Sequence, residues 1–378
     1  MLKKLFGTIS SRPAKDAAKN ARVDALYAEA SAAWAGGNLA GAERKIESAI
    51  TLDNNLPVLF FMQGSILLKR SQFERAWTAF ERALQLRPHF PLVLNAEVHA
   101  ALARARHDLG RGRVPSNEPP YQGPPQKVSV IICSIIPARF ERVCANYRER
   151  LAGVPHEIIG IHDAQSLCEG YARGLARSSG DIVVFSHDDI AIHAPDFANR
   201  LRNRLNEYEL VGVVGSTQLS GEGWLYSRWP HIHGQVGMAA AAGTDGGFTI
   251  TAFHMRGAAT PGAQVLDGLF FACRRELAEA IGFDAATFDG WHFYDFDFSY
   301  RAWRAGRRTA VCHDLLIEHA SQGGYNAEWL RYAQRFREKH PEANALFGER
   351  EAVQLASIGV DTIAEWRLFT EHMMARTA

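Results

Sequence analysis

The stretch Gly180-Asp181-Ile182-Val183-Val184-Phe185-Ser186-His187-Asp188-Asp189 decides the fold. From Ile182 to Phe185 it is an unbroken β-branched and aromatic run, as a strand buried on both faces requires, and it then turns abruptly polar. Two similar runs precede it. Val128-Ser129-Val130-Ile131-Ile132-Cys133 ends at Ser134, and Glu157-Ile158-Ile159-Gly160-Ile161 runs into His162-Asp163. Residues 138–151 and 166–178, lying between the runs, have helical periodicity. This β-α-β-α-β order predicts a parallel sheet with right-handed crossovers, in which ligands bind beyond the carboxyl ends of the strands. Ser134, Asp163 and His187-Asp188-Asp189 are then expected at one edge. Adjacent carboxylates there repel each other unless a cation neutralises them, and a divalent metal with a diphosphate is the common solution.

Upstream, residues 110–127 carry Pro115, Pro119, Pro120, Pro124 and Pro125, which no helix tolerates, and read as a semi-extended linker between domains. Before the linker the chain repeats itself at a shift of roughly 34 residues, the tetratricopeptide period. Tyr27 falls on Phe61, Ala30 on Gly64, Ala42 on Ala76, Ile46 on Phe80 and Ala49 on Ala83. Residues 21–109 thus resemble the tetratricopeptide (TPR) family, with Asn54 where that family usually has proline. Two helix pairs and a further helix from 92 to about 107 are predicted, because two repeats cannot close a core alone. A peptide-binding concave face and a plain helical spacer both remain open. Residues 1–20 carry Lys3, Lys4, Arg12, Lys15 and Lys19 against Asp16, which suits either a membrane surface or a solvated terminus.

The 378 residues are 47% hydrophobic and 22% charged with a formal net charge of +1, so the chain has material for full cores but no global field for gathering nucleic acid. Its five cysteines show no CxxC pair, and no apolar run suits a membrane span. A cytoplasmic protein is expected, at most peripheral at the inner face of a membrane.

From Val128 to about Gly324 the residues resemble the family 2-like glycosyltransferases, particularly the bacterial glycosyltransferase-like family. The resemblance rests on the three strand ends, on Leu266-Asp267-Gly268-Leu269-Phe270-Phe271, on Gly282-Phe283-Asp284, and on Tyr294-Asp295-Phe296-Asp297-Phe298-Ser299-Tyr300-Arg301. It implies a glycosyltransferase A-type, Rossmann-like α/β domain at residues 128–340, preceded by the all-α repeats and followed by helices at 341–378. It further implies an inverting transfer from a nucleotide-diphospho-sugar to a glycan hydroxyl, of the kind that builds bacterial surface polysaccharide. Ser134, Asp163, Asp188 and His187 are assigned to the donor, and Asp189 and His319 to Mg2+ or Mn2+. Asp295 is assigned as the base, and Trp224, Trp229 and Asp267 to the acceptor. His187 and Tyr294 replace acids of the family pattern, which keeps a degenerate nucleotide-sugar-binding scaffold as an alternative. A protein acceptor is another alternative, with a partner docking on the repeats. Asp297 is read as the N-cap of the helix that follows it. His231 and His233 invite a zinc or deacetylase reading for which no third ligand is evident.

Overall fold

The computed structural model describes residues 17–87, 93–227, 230–239, 247–321, 324, 326–347 and 355–376. Residues 1–16, Trp229 and Gly323 lie outside the described set. The chain divides after Val114 into two units.

The first unit is all helical: α1 (Ala17–Ala35), α2 (Leu39–Leu52), α3 (Pro57–Lys69), α4 (Phe73–Leu86) and α5 (Val93–Gly110). Gly37, at φ +77°, makes the turn after α1, and the Asn38 side chain accepts from the Gly41 N–H to cap α2. Pro57 opens α3 at a position where its missing N–H costs nothing. The small residues of the repeat mark close approaches. Ala42, Ala49, Ala76 and Ala83 are fully buried, and a Cβ on Gly64 would lie 2.9 Å from the Phe80 ring.

The second unit begins with β1 (Val128–Cys133), α6 (Pro137–Arg150), β2 (His156–Ile161), α7 (Leu167–Arg177) and β3 (Ile182–Ser186). Strand β1 pairs in parallel with both β2 and β3, as the three apolar runs predict. The sheet does not stay parallel. After β4 (Ile190–Ile192), α8 (Phe197–Glu207), β5 (Leu210–Gly212), β6 (Val214–Ser216), β7 (Ile232–Ala239), β8 (Phe248–Ala252), β9 (Ala259–Pro261) and β10 (Val265–Leu266) comes β11 (Phe270–Arg274). Strand β11 lies antiparallel between β3 and β5. The chain enters it through Asp267-Gly268 at the end where β3 leaves, the His187 N–H donating to Leu269 O at 3.0 Å, so it has to run back. Next come α9 (Arg275–Ile281), α10 (Tyr294–Arg304), β12 (Thr309–Cys312), β13 (Ile317–His319) and α11 (Ala327–Lys339). The main sheet has the order β2-β1-β3-β11-β5-β12-β9, and a second sheet runs β10-β6-β7-β13-β4. Tyr171 of α7 and Phe298 of α10 pack with Phe185 and Phe271 of the sheet, and with Phe283, into one aromatic core.

The division after Val114 falls within the proline-rich stretch, and residues 115–121 are bonded: Glu118 pairs with Arg204 at 3.0 Å, and the Ser116 carbonyl accepts from Arg367 at 2.8 Å. Proline strips the segment of some N–H donors but leaves its carbonyls and side chains free to bond. One expectation needs correction, because the tail at 341–378 is not wholly helical. Ala356–Val360 forms β14, antiparallel to β8, before α12 (Ile363–Met374). Ala356, Ile358 and Val360 are buried while Ser357 and Gly359 are exposed, a period of two that overrides the helical flanks. Among the described residues no helix is long and apolar enough to cross a membrane.

Candidate active site

Apolar strands carry the chain to the sheet edge and stop, which leaves their polar ends in the space beyond. At the end of β1 the Ser134 hydroxyl donates to Asp188 Oδ2 at 2.6 Å, and Arg139 reaches within 3.9 Å of the same carboxylate. His162 Nδ1 donates to the Ser134 carbonyl at 2.8 Å, which ties the ends of β1 and β2 together. Asp163 is 76% exposed and paired with Arg173 at 2.9 Å.

After β3, His187 and Asp189 face His319 at the end of β13. Their donor atoms converge: His319 Nε2 lies 3.2 Å from Asp189 Oδ1 and 3.2 Å from His187 Nδ1, which is itself 4.0 Å from Asp189 Oδ1. Burial pushes the Asp189 carboxyl up, but the hydrogen bond and charge of His319 outweigh this and hold it well below the usual range. His187 is pushed down by burial and by its neighbour His319. Among the described residues this is the one group of three or more ligating side chains close enough to share an ion. Two imidazoles and a carboxylate with these separations fit a divalent cation, which His187, Asp189 and His319 would hold.

These groups line or back a cleft of about 310 Å³. Its floor is the turn between β10 and β11 together with the start of α10. Asp267 is oriented by the Trp224 indole N–H at 2.9 Å and by the Leu269 N–H at 2.9 Å. Asp295, in the first turn of α10, faces it. Burial first, and then the charge of Asp267, raise the Asp295 carboxyl to about 7, although N–H groups of Phe296 and Gly268 bond it. Two left-handed residues fix the approach to the site. Phe293 (φ +66°) immediately precedes Tyr294-Asp295, and Leu316 (φ +50°) immediately precedes β13; strain of this kind persists where packing over-determines it.

The structure thus brings His187, His319, Trp224, Asp267 and Asp295 into one cleft, with Asp189 bonded behind His319. Ser134 and Asp188 sit together at the sheet edge. Asp163 does not line the cleft, and Trp229 lies outside the described residues. Three residues were missed. Trp291, which is 46% exposed, and Trp329 line the cleft from segments with no motif, while Tyr294 stood in the motif but was read as a lost acid.

One reading is overturned. Asp297 is not an N-cap, because α10 already starts at Tyr294. Its buried carboxylate instead binds Arg301 Nε, Lys339 Nζ and His340 Nε2, each at 2.8 Å. Among the described residues His231 and His233 gather no third ligand, as expected, and His233 is buried with its Nε2 3.0 Å from the Thr217 hydroxyl.

The profile of a family described as "Glycosyltransferase like family" matches residues 129–340, and the chain belongs to that family. It is a glycosyltransferase with an A-type α/β unit behind an all-helical region. No curated protein matches the chain. Among solved structures it is similar to the mannosyltransferase PcManGT from Pyrobaculum calidifontis in complex with GDP-Man and Mn2+, at 16% identity and a TM-score of 0.38, over 78% of this chain and 81% of that one. GalNAc-T7 with UDP, GalNAc and Mn2+ is similar at 12% identity and a TM-score of 0.36, over 68% of this chain and 56% of that one. A197 from STIV is similar at 14% identity and a TM-score of 0.30, over 52% and 86%.

Proposed function

We propose that the cleft transfers a sugar with inversion from a nucleoside-diphosphate donor to a hydroxyl of a glycan acceptor. Asp295 carries the reading: a carboxylate raised to about 7 in a water-restricted cleft is matched to proton abstraction near neutral pH. The acceptor oxygen attacks the anomeric carbon from the face opposite the diphosphate, and its proton passes to Asp295. The carbon–oxygen bond to the diphosphate breaks, and its electron pair leaves on the phosphate oxygen. Asp189 and His319, with His187 beside them, would hold a divalent cation, Mg2+ or Mn2+ by resemblance, which would supply neutralisation of charge on the diphosphate. Ser134 and Asp188 receive the nucleoside. Asp163 reaches the base only by exchanging its partner Arg173.

Trp224, Trp291 and Trp329 rim the cleft beside Asp267, and flat aromatic faces next to a polar anchor suit the apolar face of a sugar ring. This supports a glycan acceptor, as in bacterial surface polysaccharide synthesis, over a peptide. The helical unit carries a groove lined by Phe60, Leu67, Trp77, Arg75 and Arg82. That groove supports a protein partner at TPR-like repeats in a cytoplasmic enzyme.

A mass-spectrometric screen of nucleotide-sugars for turnover tests the function. We expect one donor class to be consumed by the wild type and spared by folded Asp295→Asn and Asp189→Ala variants. Full turnover by either variant overturns its assigned role.

A further inference from the structure

Helix α11 leads away from the cleft, and a second cavity follows it. Trp329, in the first turn of α11, lines both the cleft and a neighbouring groove of about 500 Å³, and Glu222 likewise belongs to both. The groove continues along the helix face made by Leu330, Ala333, Gln334 and Arg337, at i, i+3, i+4 and i+7. From Trp329 to Arg337 the helix advances about 12 Å. Both ends of this wall are fixed. The Asn326 side chain accepts from the Trp329 N–H at 2.8 Å to cap the helix, and the Trp329 and Phe293 ring centroids are 5.2 Å apart. At the other end Lys339 and His340 bind Asp297 of α10, each at 2.8 Å. The groove is thereby tied to the helix that carries Asp295.

Next to the cleft, Leu330, which is 58% exposed, extends the apolar surface of Trp329. Farther out, planar polar groups are braced against one another. Gln334 donates to Glu338 at 2.8 Å, and Arg337 donates to Glu222 and to Asn344, each at 3.1 Å. Amide, guanidinium and carboxylate groups together offer both donors and acceptors, as a sugar requires, whose hydroxyls do both and whose ring has an apolar face. Bracing lowers the entropy cost of holding these side chains on a ligand. An acyl chain or apolar peptide would instead cover them unbonded. Glu222 and Glu338 against Arg337 leave the groove with a negative balance, which disfavours an anionic glycan.

We propose that this groove is a distal acceptor subsite, holding further neutral sugars of an oligosaccharide whose terminal sugar sits in the cleft. The inference rests on the reading of the cleft as a transferase site and deepens it: the acceptor is a chain of uncharged sugars rather than a single sugar or an acidic glycan.

The full chain is screened on an array of neutral and acidic glycans, with and without Mn2+ and a nucleoside diphosphate. Bound glycans are then compared by calorimetry with the monosaccharide of their own terminal sugar. We expect a neutral tetrasaccharide to bind about tenfold or more tightly than its monosaccharide, because a few added hydrogen bonds multiply affinity by that factor. Gln334→Trp, which fills the groove from an exposed helix position, and Arg337→Ala should each bring this ratio close to one, with thermal melts confirming that both variants are folded. Binding to no glycan, a ratio near one in the wild type, preference for acidic over neutral glycans, or a ratio unchanged in both folded variants overturns the proposal. Length-dependent binding by a protein that turns over no nucleotide-sugar would sink the transferase reading and leave the groove as a glycan site. Donor turnover with no length dependence would do the reverse.

Discussion

Asp295 and Asp297 lie two residues apart in the first turn of one helix, and their neighbours push them in opposite directions. Burial and the Asp267 charge raise Asp295 to about 7. For Asp297 burial also pushes upward, but the bond from His340 and the charges of Arg301 and Lys339 hold it below the usual range. The kinetic consequence for Asp295 is a rising limb. A base with its pKa raised to about 7 is loaded with a proton below that pH, so kcat should climb through pH 7, and Asp295→Asn should lose ~10²–10⁴-fold with no limb left. A variant profile that keeps the limb would assign it to another group. The stability consequence has the opposite sign for the two acids. A raised acid costs stability once ionised, so Asp295→Asn should be more stable than wild type at pH 8, by on the order of 1–3 kcal/mol after the loss of acceptors for two N–H groups. Asp297→Ala strands Lys339 and Arg301 and should cost about 3–5 kcal/mol in urea denaturation at the same pH. At this scale the sequence was informative wherever an apolar run ended: Ser134, His187, Asp188 and Asp189 all fall where the strands deliver them. It was silent on Trp291 and Trp329, because only the folded chain brings a loop and a helix from distant segments to the same cleft. The positions His187 and Tyr294, which read as two lost acids, turn out to touch each other.

Among elements, the short turn between β10 and β11 has the largest leverage on the site. Asp267 is held on one side by Trp224 and Leu269, and on the other side Gly268 leaves room for Tyr294 and Asp295. Gly268→Ala should displace both side chains while leaving the strands paired. A misplacement of about 1 Å costs on the order of 10²-fold, so we expect kcat to fall by at least that factor in a variant whose circular dichroism spectrum is unchanged. Wild-type turnover in Gly268→Ala would mean that the turn does not fix the base. Element boundaries were less legible than element types. The three parallel strands and the α6 and α7 crossovers were readable from runs of one periodicity. Helix α10 starts three residues before the expected cap, since Phe293 enters αL and lets Tyr294-Asp295-Phe296 begin the helix. The antiparallel direction of β11 was not readable, because it follows from which end of the sheet the preceding loop reaches, and no local pattern encodes that.

Over the whole molecule, the near-zero net charge conceals buried groups whose titration is set by packing. The proline-rich stretch was visible in composition, yet its ties through Glu118 to Arg204 could not be read from residues so far apart in sequence. The same is true of His233, His254 and His313. Burial, more than any partner, pushes them down to about 3, 4 and 4 respectively. The rings of His233 and His254 are 5.5 Å apart, while His313 Nδ1 donates to the Gly257 carbonyl and its Nε2 accepts from Thr260. A further proton on His313 Nε2 would require the Thr260 hydroxyl to turn from donor to acceptor. In the unfolded chain each of these three imidazoles protonates near pH 6.5. Between about pH 6.5 and 4 the unfolded state therefore binds three protons that the folded state refuses, and stability falls as pH falls. Asp295 works against this, since over the same window the folded state holds a proton there that the unfolded chain has released. The balance is two protons, or roughly 3 kcal/mol of stability lost per pH unit from these four groups. Asp295→Asn removes the opposing proton, so its slope should steepen to roughly 4 kcal/mol per unit. The variant that is more stable than wild type at pH 8 should thus lose its advantage on acidification. Urea denaturation of both proteins at pH 5.5, 5.0 and 4.5, inside that window, measures the two slopes. Parallel curves would mean that Asp295 carries no raised pKa, and with it would go the argument that this carboxylate is tuned to act as a base.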